Sequence, residues 1–136
     1  MSREIAVLFE REKIAPDLML FLGDGQRQNA VMRVLYRRCQ LFVTATEVEA
    51  CPNIAIEALT AGCSIVASDS GPAREILGDA SVLTPPRNVD ALGHQMVRLL
   101  GDDMARVELA NKARMRSGMF SWDRTVRDTY EVLTKW

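Results

Sequence analysis

Leu41-Phe42-Val43-Thr44-Ala45-Thr46-Glu47-Val48-Glu49-Ala50-Cys51-Pro52-Asn53-Ile54-Ala55-Ile56-Glu57-Ala58-Leu59-Thr60-Ala61-Gly62-Cys63-Ser64-Ile65-Val66-Ala67-Ser68 is the stretch on which the fold turns. Leu41-Phe42-Val43 reads as a short strand. Asn53 to Ala61 reads as a helix, stopped by Gly62, a residue favoured just past a helix end. Ser64-Ile65-Val66-Ala67-Ser68 is the next strand. Strand, helix and strand in that order imply parallel strands joined by a crossover connection.

The pattern extends in both directions. Upstream, Ile5, Leu8, Phe9 and Ile14 mark one face of a helix ended before Pro16. Leu18-Met19-Leu20-Phe21-Leu22 is a continuous apolar run of the kind that forms a buried strand, and Gly23-Asp24-Gly25 is its turn. A helix from about Arg27 to Cys39 is expected to bury Ala30, Val34 and Leu35 and to expose Arg33, Arg37 and Arg38. Downstream, Gly71 to Leu77 reads as a short helix with proline near its start. Ser81-Val82-Leu83 is a fourth strand, closed by Pro85-Pro86. Helices follow at Asn88 to Leu100, about Met104 to Gly118, and Trp122 to Lys135. The expected architecture is α/β: a doubly wound, Rossmann-like parallel sheet of about four strands with a helical C-terminal extension.

Composition narrows the function. With 136 residues, 48% of them apolar, the chain has the material for one domain with its own core. Seventeen basic residues against eighteen acidic ones, a net charge of −1, argue against a nucleic-acid partner held by bulk charge. Cys39, Cys51 and Cys63 are odd in number and form no C-x-x-C pair. With His94 as the one histidine, a Cys/His zinc site is not supported. The cysteines read as small buried residues of a reducing compartment. Met1-Ser2-Arg3-Glu4 runs into a helical pattern without an apolar signal core, and no run nears the ~18 apolar residues of a membrane span. A cytoplasmic chain is expected.

The chemistry concentrates at Glu49 and Glu57. In a parallel sheet, ligands bind beyond the carboxyl ends of the strands, at the starts of the following helices. Pro52 suits a helix start, lacking the N–H that would be orphaned there. The N–H groups of Asn53, Ile54 and Ala55 would then point outward with the positive end of the helix dipole, an arrangement suited to a diphosphate. Glu57 lies one turn further on, on the face of Asn53. Flanked by Ile54, Ala55, Ile56, Ala58 and Leu59, its carboxylate would be costly to bury without a partner. Its two acceptor oxygens match the vicinal hydroxyls of a ribose, and Glu49 on the loop would reach a more distal sugar. The spacing alone equally allows Glu57 to reach solvent and Glu49 to solvate a loop.

The run from Leu41 to Ile76 resembles the family-four retaining glycosyltransferases of the GT-B fold, whose signature is E-x7-E followed by an alanine-rich, glycine-terminated helix and an apolar strand. Ser70-Gly71-Pro72-Ala73-Arg74-Glu75-Ile76 is similar to the glycine-rich turn and glutamate that follow in that family. Gly78-Asp79-Ala80 to Pro86, Asn88 to Leu92, and Phe120-Ser121-Trp122 are similar to its closing elements. The resemblance implies a donor site. Glu57 would bind the ribose of a nucleotide sugar, a UDP- or GDP-sugar, and Glu49 would contact the transferred sugar as a positioning and electrostatic catalytic residue. Backbone amides around Cys51, Pro52, Asn53 and Ile54 would support sugar and phosphate, with Arg74 as a further phosphate contact. The resemblance implies no metal and no further cofactor.

The same resemblance covers only the later part of a second GT-B domain. Residues 1–136 are thus expected to be a single partial nucleotide-sugar-binding domain. The missing N-terminal GT-B domain would supply the acceptor site, and catalysis by this chain alone is not expected. Trp122, Val126, Tyr130 and Leu133 form an apolar stripe that in this family meets the N-terminal domain; unpartnered, it implies self-association. The expected function is sugar transfer in bacterial polysaccharide or glycolipid synthesis, with peripheral membrane contact of the whole enzyme at the inner face. The alternatives are a non-catalytic nucleotide-sugar-binding module and an interaction domain. Gly23-Asp24-Gly25 lacks the lysine and spacing of a phosphate loop. His94 and the Arg33, Arg37, Arg38 face read as solvated surface. Cys51, near a helix start, reads as packing rather than a reactive thiol.

Overall fold

The computed structural model describes residues 11–13 and 29–135. The chain divides after Met32 into two units. The helix expected around Ile5, Leu8, Phe9 and Ile14, the strand Leu18 to Leu22 and the turn Gly23-Asp24-Gly25 lie outside the described residues.

The second unit carries the strand–helix alternation. Helix α1 is Asn29–Arg38, followed by β1 at Phe42–Thr44, α2 at Asn53–Ala61, β2 at Ile65–Ser68 and α3 at Gly71–Leu77. A 3-10 turn at Gly78–Ala80 leads into β3 at Val82–Thr84, then α4 at Val89–Leu100, α5 at Asp103–Ser117 and α6 at Trp122–Thr134. Among the described residues the sheet has three strands in the order β1-β2-β3, both pairs parallel. Val43 lies opposite Val66, and Val66 opposite Val82. Both outer strands start and end one residue later than the apolar pattern suggests.

β2 is buried at every position, Ile65, Val66 and Ala67 completely. Successive strand side chains point to opposite faces, so both faces of the sheet are covered. Val66 packs with Leu99 of α4 and Leu109 of α5, with Leu41, Val82, Leu92 and Ala105 around them. Two arginines of α5 secure helix ends on the sheet. Arg106 donates to the carbonyls of Leu99 and Leu100 at the end of α4, and Arg116 to those of Glu75 and Ile76 at the end of α3. Each meets carbonyls that a helix C-terminus leaves unpaired.

α1 corrects one expectation. Ala30, Val34 and Leu35 are exposed rather than buried, and Tyr36 is the inward residue. Its ring meets Phe42 with centroids 5.6 Å apart and planes tilted by 49°. At 3.6 residues per turn, Val34 lies roughly 200° around the helix from Tyr36. Once the larger aromatic faces inward, that aliphatic face cannot. Arg33, Arg37 and Arg38 are exposed as expected.

Gly62 ends α2 in the left-handed conformation (φ 73°), with its N–H bonded to the carbonyls of Ala58 and Leu59. A Cβ there would also meet the Arg114 side chain at 2.6 Å, which the flexible guanidinium can relieve but the backbone strain cannot. Gly93, inside α4, has nothing within 4 Å of its would-be Cβ. Gly62→Ala is therefore expected to destabilise by about 1–2 kcal/mol, and Gly93→Ala to stabilise by about 0.5–1 kcal/mol. Urea unfolding of both variants checks this; the opposite order would contradict the assigned backbone conformations.

Candidate functional site

Because β1, β2 and β3 run parallel, Thr44, Ser68 and Thr84 end at one edge of the sheet, and α2, α3 and α4 begin there. Ligands of such sheets occupy this edge. The three helix starts differ. Ser70 Oγ accepts from the Ala73 N–H at 3.3 Å, and Asn88 Oδ1 from the Ala91 N–H at 2.9 Å. α2 starts after Pro52, which offers no side-chain cap. The Pro52 carbonyl instead accepts from the N–H of Ala55 at 2.9 Å and of Ile56 at 3.4 Å. Ala55 is thus not one of the free amides. Among the described residues, the N–H groups of Asn53 and Ile54 have no acceptor.

Glu49, Cys51, Asn53, Ile54 and Glu57 are all exposed at this edge, and Pro52 is buried beneath them. That overturns the burial expected for Glu57. Ala55, Ala58 and Leu59 take the inward face of α2, leaving the carboxylate toward solvent, so no ligand is required to offset its desolvation. One neighbour does constrain it. Burial, and then the neighbouring Glu57 carboxylate, hold the Tyr36 phenol well above the usual tyrosine range; Cys63 and Cys39 add to the effect.

Arg74, on α3, is not free for an anion. Its guanidinium forms a two-pronged pair with Asp69, Nε to Oδ1 at 3.0 Å and Nη2 to Oδ2 at 2.6 Å. Sequence reading missed Asp69, and also the pair joining two loops of this edge. Arg87 Nε donates to both carboxylate oxygens of Glu47, at 2.9 and 3.1 Å, tying the loop after β3 to the loop after β1. Arg87 holds a positive φ of 61°. The Pro85-Pro86 break was the visible signal there, but nothing local links Arg87 to a glutamate forty positions earlier. Four carboxylates, Glu47, Glu49, Glu57 and Asp69, thus share the edge with two arginines, each already paired. Two hollows of about 310 and 430 Å³ lie away from Glu49 and Glu57. The first is lined by Cys39, Gln40, Gly62, Ser64 and residues of α5, the second by α5 itself.

Tyr36 and Cys63 give the fold a pH signature. Burial first, and then the neighbouring Cys39, push the Cys63 thiol from 9.0 up to about 12, and Tyr36 is raised from 10.0. A raised folded value contributes stability that is complete below the unfolded value and is lost as pH rises through the folded one. Unfolding free energy should therefore hold level to about pH 9 and fall above it. Tyr36→Phe should flatten the fall above pH 10. Urea titrations between pH 8 and 11 check this; identical slopes for both proteins would contradict the assignment.

Residues 16–116 match the family described as glycosyl transferases group 1. Over 100 residues the chain is 32% identical to N-acetylgalactosamine-N,N'-diacetylbacillosaminyl-diphospho-undecaprenol 4-alpha-N-acetylgalactosaminyltransferase of Campylobacter jejuni, covering 71% of this chain and 27% of that protein. Over 90 residues it is 36% identical to an exopolysaccharide phosphotransferase of Streptomyces coelicolor, covering 64% of this chain and 10% of that protein. Among solved structures, sucrose-phosphate synthase from Thermosynechococcus elongatus superposes with a TM-score of 0.85 at 24% identity, over 98% of this chain and 33% of that one. That likeness establishes the Rossmann-like fold of a GT-B domain. The chain spans about a quarter of the first relative's length and a tenth of the second's. With the match running over most of its residues, this chain belongs to the glycosyl transferases group 1 family.

Proposed function

We propose that this chain forms the donor half of a glycosyltransferase that moves a sugar from a UDP- or GDP-sugar to an acceptor in bacterial polysaccharide or glycolipid synthesis, with the anomeric configuration retained. The observation that carries the proposal is the E-x7-E segment at the carboxyl edge of the sheet. Glu49 lies on the loop, Glu57 on α2, and among the described residues the Asn53 and Ile54 N–H groups between them have no acceptor. In this reading those amides, with the Cys51–Pro52 backbone, receive the diphosphate. Glu57, held beside the Tyr36 phenol, accepts from the ribose hydroxyls, and Glu49 positions the transferred sugar and steadies charge as it departs. Arg74 would contact phosphate only by leaving Asp69. No metal ion is assigned to donor binding, on the strength of the family resemblance.

The charge at this edge bears on catalysis. A departing diphosphate needs positive charge that is present before the bond breaks, and Arg74 and Arg87 are both committed to carboxylates. On the family resemblance, the remaining phosphate-clamping cations belong to the opening strand–helix–strand region of this same GT-B domain, and the acceptor site to an N-terminal GT-B domain. The whole enzyme would act at the cytoplasmic face of the membrane; the lipid diphosphate named in the Campylobacter relative supports the membrane contact, not the face. Among the described residues no helix is long and apolar enough to cross a membrane. A non-catalytic nucleotide-sugar-binding module remains the second reading, supported by the same uncapped helix start.

Calorimetric titration with UDP- and GDP-sugars tests the donor site. One of the two is expected to bind, and Glu57→Ala to weaken it about tenfold or more, as for loss of hydrogen bonds to a charged acceptor. Glu49→Ala should reduce the advantage of the nucleotide sugar over the free nucleotide. No heat with either donor, and no competition by nucleotide, would remove both binding readings. Restored transfer on adding a separate N-terminal half would favour the enzyme over the module.

α6 supplies the second proposal. Trp122, Val126, Tyr130 and Leu133 are 65–84% exposed along one face. A contiguous apolar surface of this kind marks an interaction site. We assign it to contact with the N-terminal domain of the whole enzyme and, when these 136 residues stand alone, to contact between copies. Light scattering at high concentration should show a dimer or larger species that Val126→Asp disperses; a monomer throughout would contradict the assignment.

A further inference from the structure

At the opposite edge of the sheet, two cysteines lie closer than packing alone requires. Cys39 follows α1, its N–H still bonded to the Leu35 carbonyl at 2.9 Å; Cys63 enters β2, its N–H bonded to the Ala58 carbonyl at 3.0 Å. Their sulfurs are 3.7 Å apart. Both thiols donate to one acceptor, the Tyr36 carbonyl, at 3.3 Å from Cys39 and 3.1 Å from Cys63. That shared acceptor gathers the two sulfurs. Cys63 is 2% exposed, whereas Cys39 is exposed and lines the hollow of about 310 Å³ with Gln40, Gly62 and Ser64. One sulfur is thus open to small solutes, and the other waits behind it. Cys51 is exposed as well, but it sits at the carboxyl edge with the glutamates.

We propose that Cys39 and Cys63 are a redox-modification site that closes into a reversible intramolecular disulfide on exposure to a peroxide. The Cys39 thiolate attacks one peroxide oxygen and the O–O bond breaks, leaving Cys39 as a sulfenic acid; the departing hydroxide takes up the proton that the Cys39 thiol had given to solvent and leaves as water. The Cys63 sulfur then attacks the Cys39 sulfur. The S–S bond forms, the S–O bond breaks, and the leaving hydroxide takes the Cys63 proton as a second water. Two electrons pass from the two thiols to one peroxide. Exposure decides the order, because oxidation follows access and thiolate character. Burial keeps Cys63 protonated at neutral pH, its thiol raised to about 12. Its attack is nevertheless intramolecular, and fixed proximity offsets the small thiolate fraction. The sulfurs must close from 3.7 Å to about 2.05 Å.

The cross-link would join the end of α1 to the entry of β2 and remove both S–H donors from the Tyr36 carbonyl. The disulfide does not rest on the donor reading above. The reduced 136-residue chain is treated with hydrogen peroxide, denatured, alkylated with iodoacetamide and mapped by mass spectrometry. The expected product joins the Cys39 and Cys63 peptides with a loss of about 2 Da and is reversed by dithiothreitol. Cys39→Ser should leave Cys63 fully alkylated after the same treatment, and it avoids the risk of unfolding carried by a change at the buried partner. Cys63 fully alkylated in the oxidised wild type, or cross-links found only between chains, would overturn the proposal whatever the affinity for a nucleotide sugar.

Discussion

Complete burial of β2 is the constraint on which the rest depends. Ile65 to Ser68 point alternately to the two faces of the sheet, and none reaches solvent. A strand in that position needs a neighbour on each side and helices on both faces. Parallel neighbours can be supplied only through crossovers, so α2 must lie between β1 and β2, and α3 between β2 and β3. Each crossover returns a helix start to the same edge. The clustering of Asn53, Gly71 and Val89 beyond the strand ends is therefore a product of hydrophobic burial. Any chemistry at that edge is built on positions that the core has already fixed.

Within that shared geometry, side-chain capping distinguishes the three starts. Ser70 and Asn88 add a side-chain cap to their helices, whereas Pro52 closes its helix with its carbonyl alone. The edge is at the same time rich in carboxylates, and its arginines are committed to ion pairs. Exposed pairs of this kind add little to stability, but they order the loops. Arg87 with Glu47 joins the loop after β3 to the one after β1, and Arg74 with Asp69 pins the start of α3. The resulting surface suits recognition of a polar donor better than unaided stabilisation of a leaving diphosphate.

Much of this was legible in the sequence. The order of elements from Asn29 onward and the stop at Gly62 follow from local chemistry and appear close to their expected places. What was misread depends on tertiary choices. Helix α1 turns Tyr36 inward because an aromatic ring fills the space above Phe42, which no count of aliphatic spacing reveals. Glu57 faces solvent because Ala55, Ala58 and Leu59 take the inward side of α2. The apolar neighbours in sequence were read as surroundings in space. Ala55 loses its free amide to a tightened first turn, and the Arg87–Glu47 and Arg74–Asp69 pairs depend on loop paths that local pattern does not encode. The Cys39–Cys63 approach belongs to the same class, since only the fold brings those sulfurs to one carbonyl.

The central claim, that the uncapped start of α2 beside Glu57 receives a nucleotide diphosphate, is tested most directly by amide chemical-shift mapping with UDP and with GDP. The account predicts that the Asn53 and Ile54 amides move first and furthest as one of these ligands is added, with Glu57 following. Shifts confined to Gln40, Ser64 and Asp103 around the hollow at the opposite edge, or none with either ligand at millimolar concentration, would contradict it.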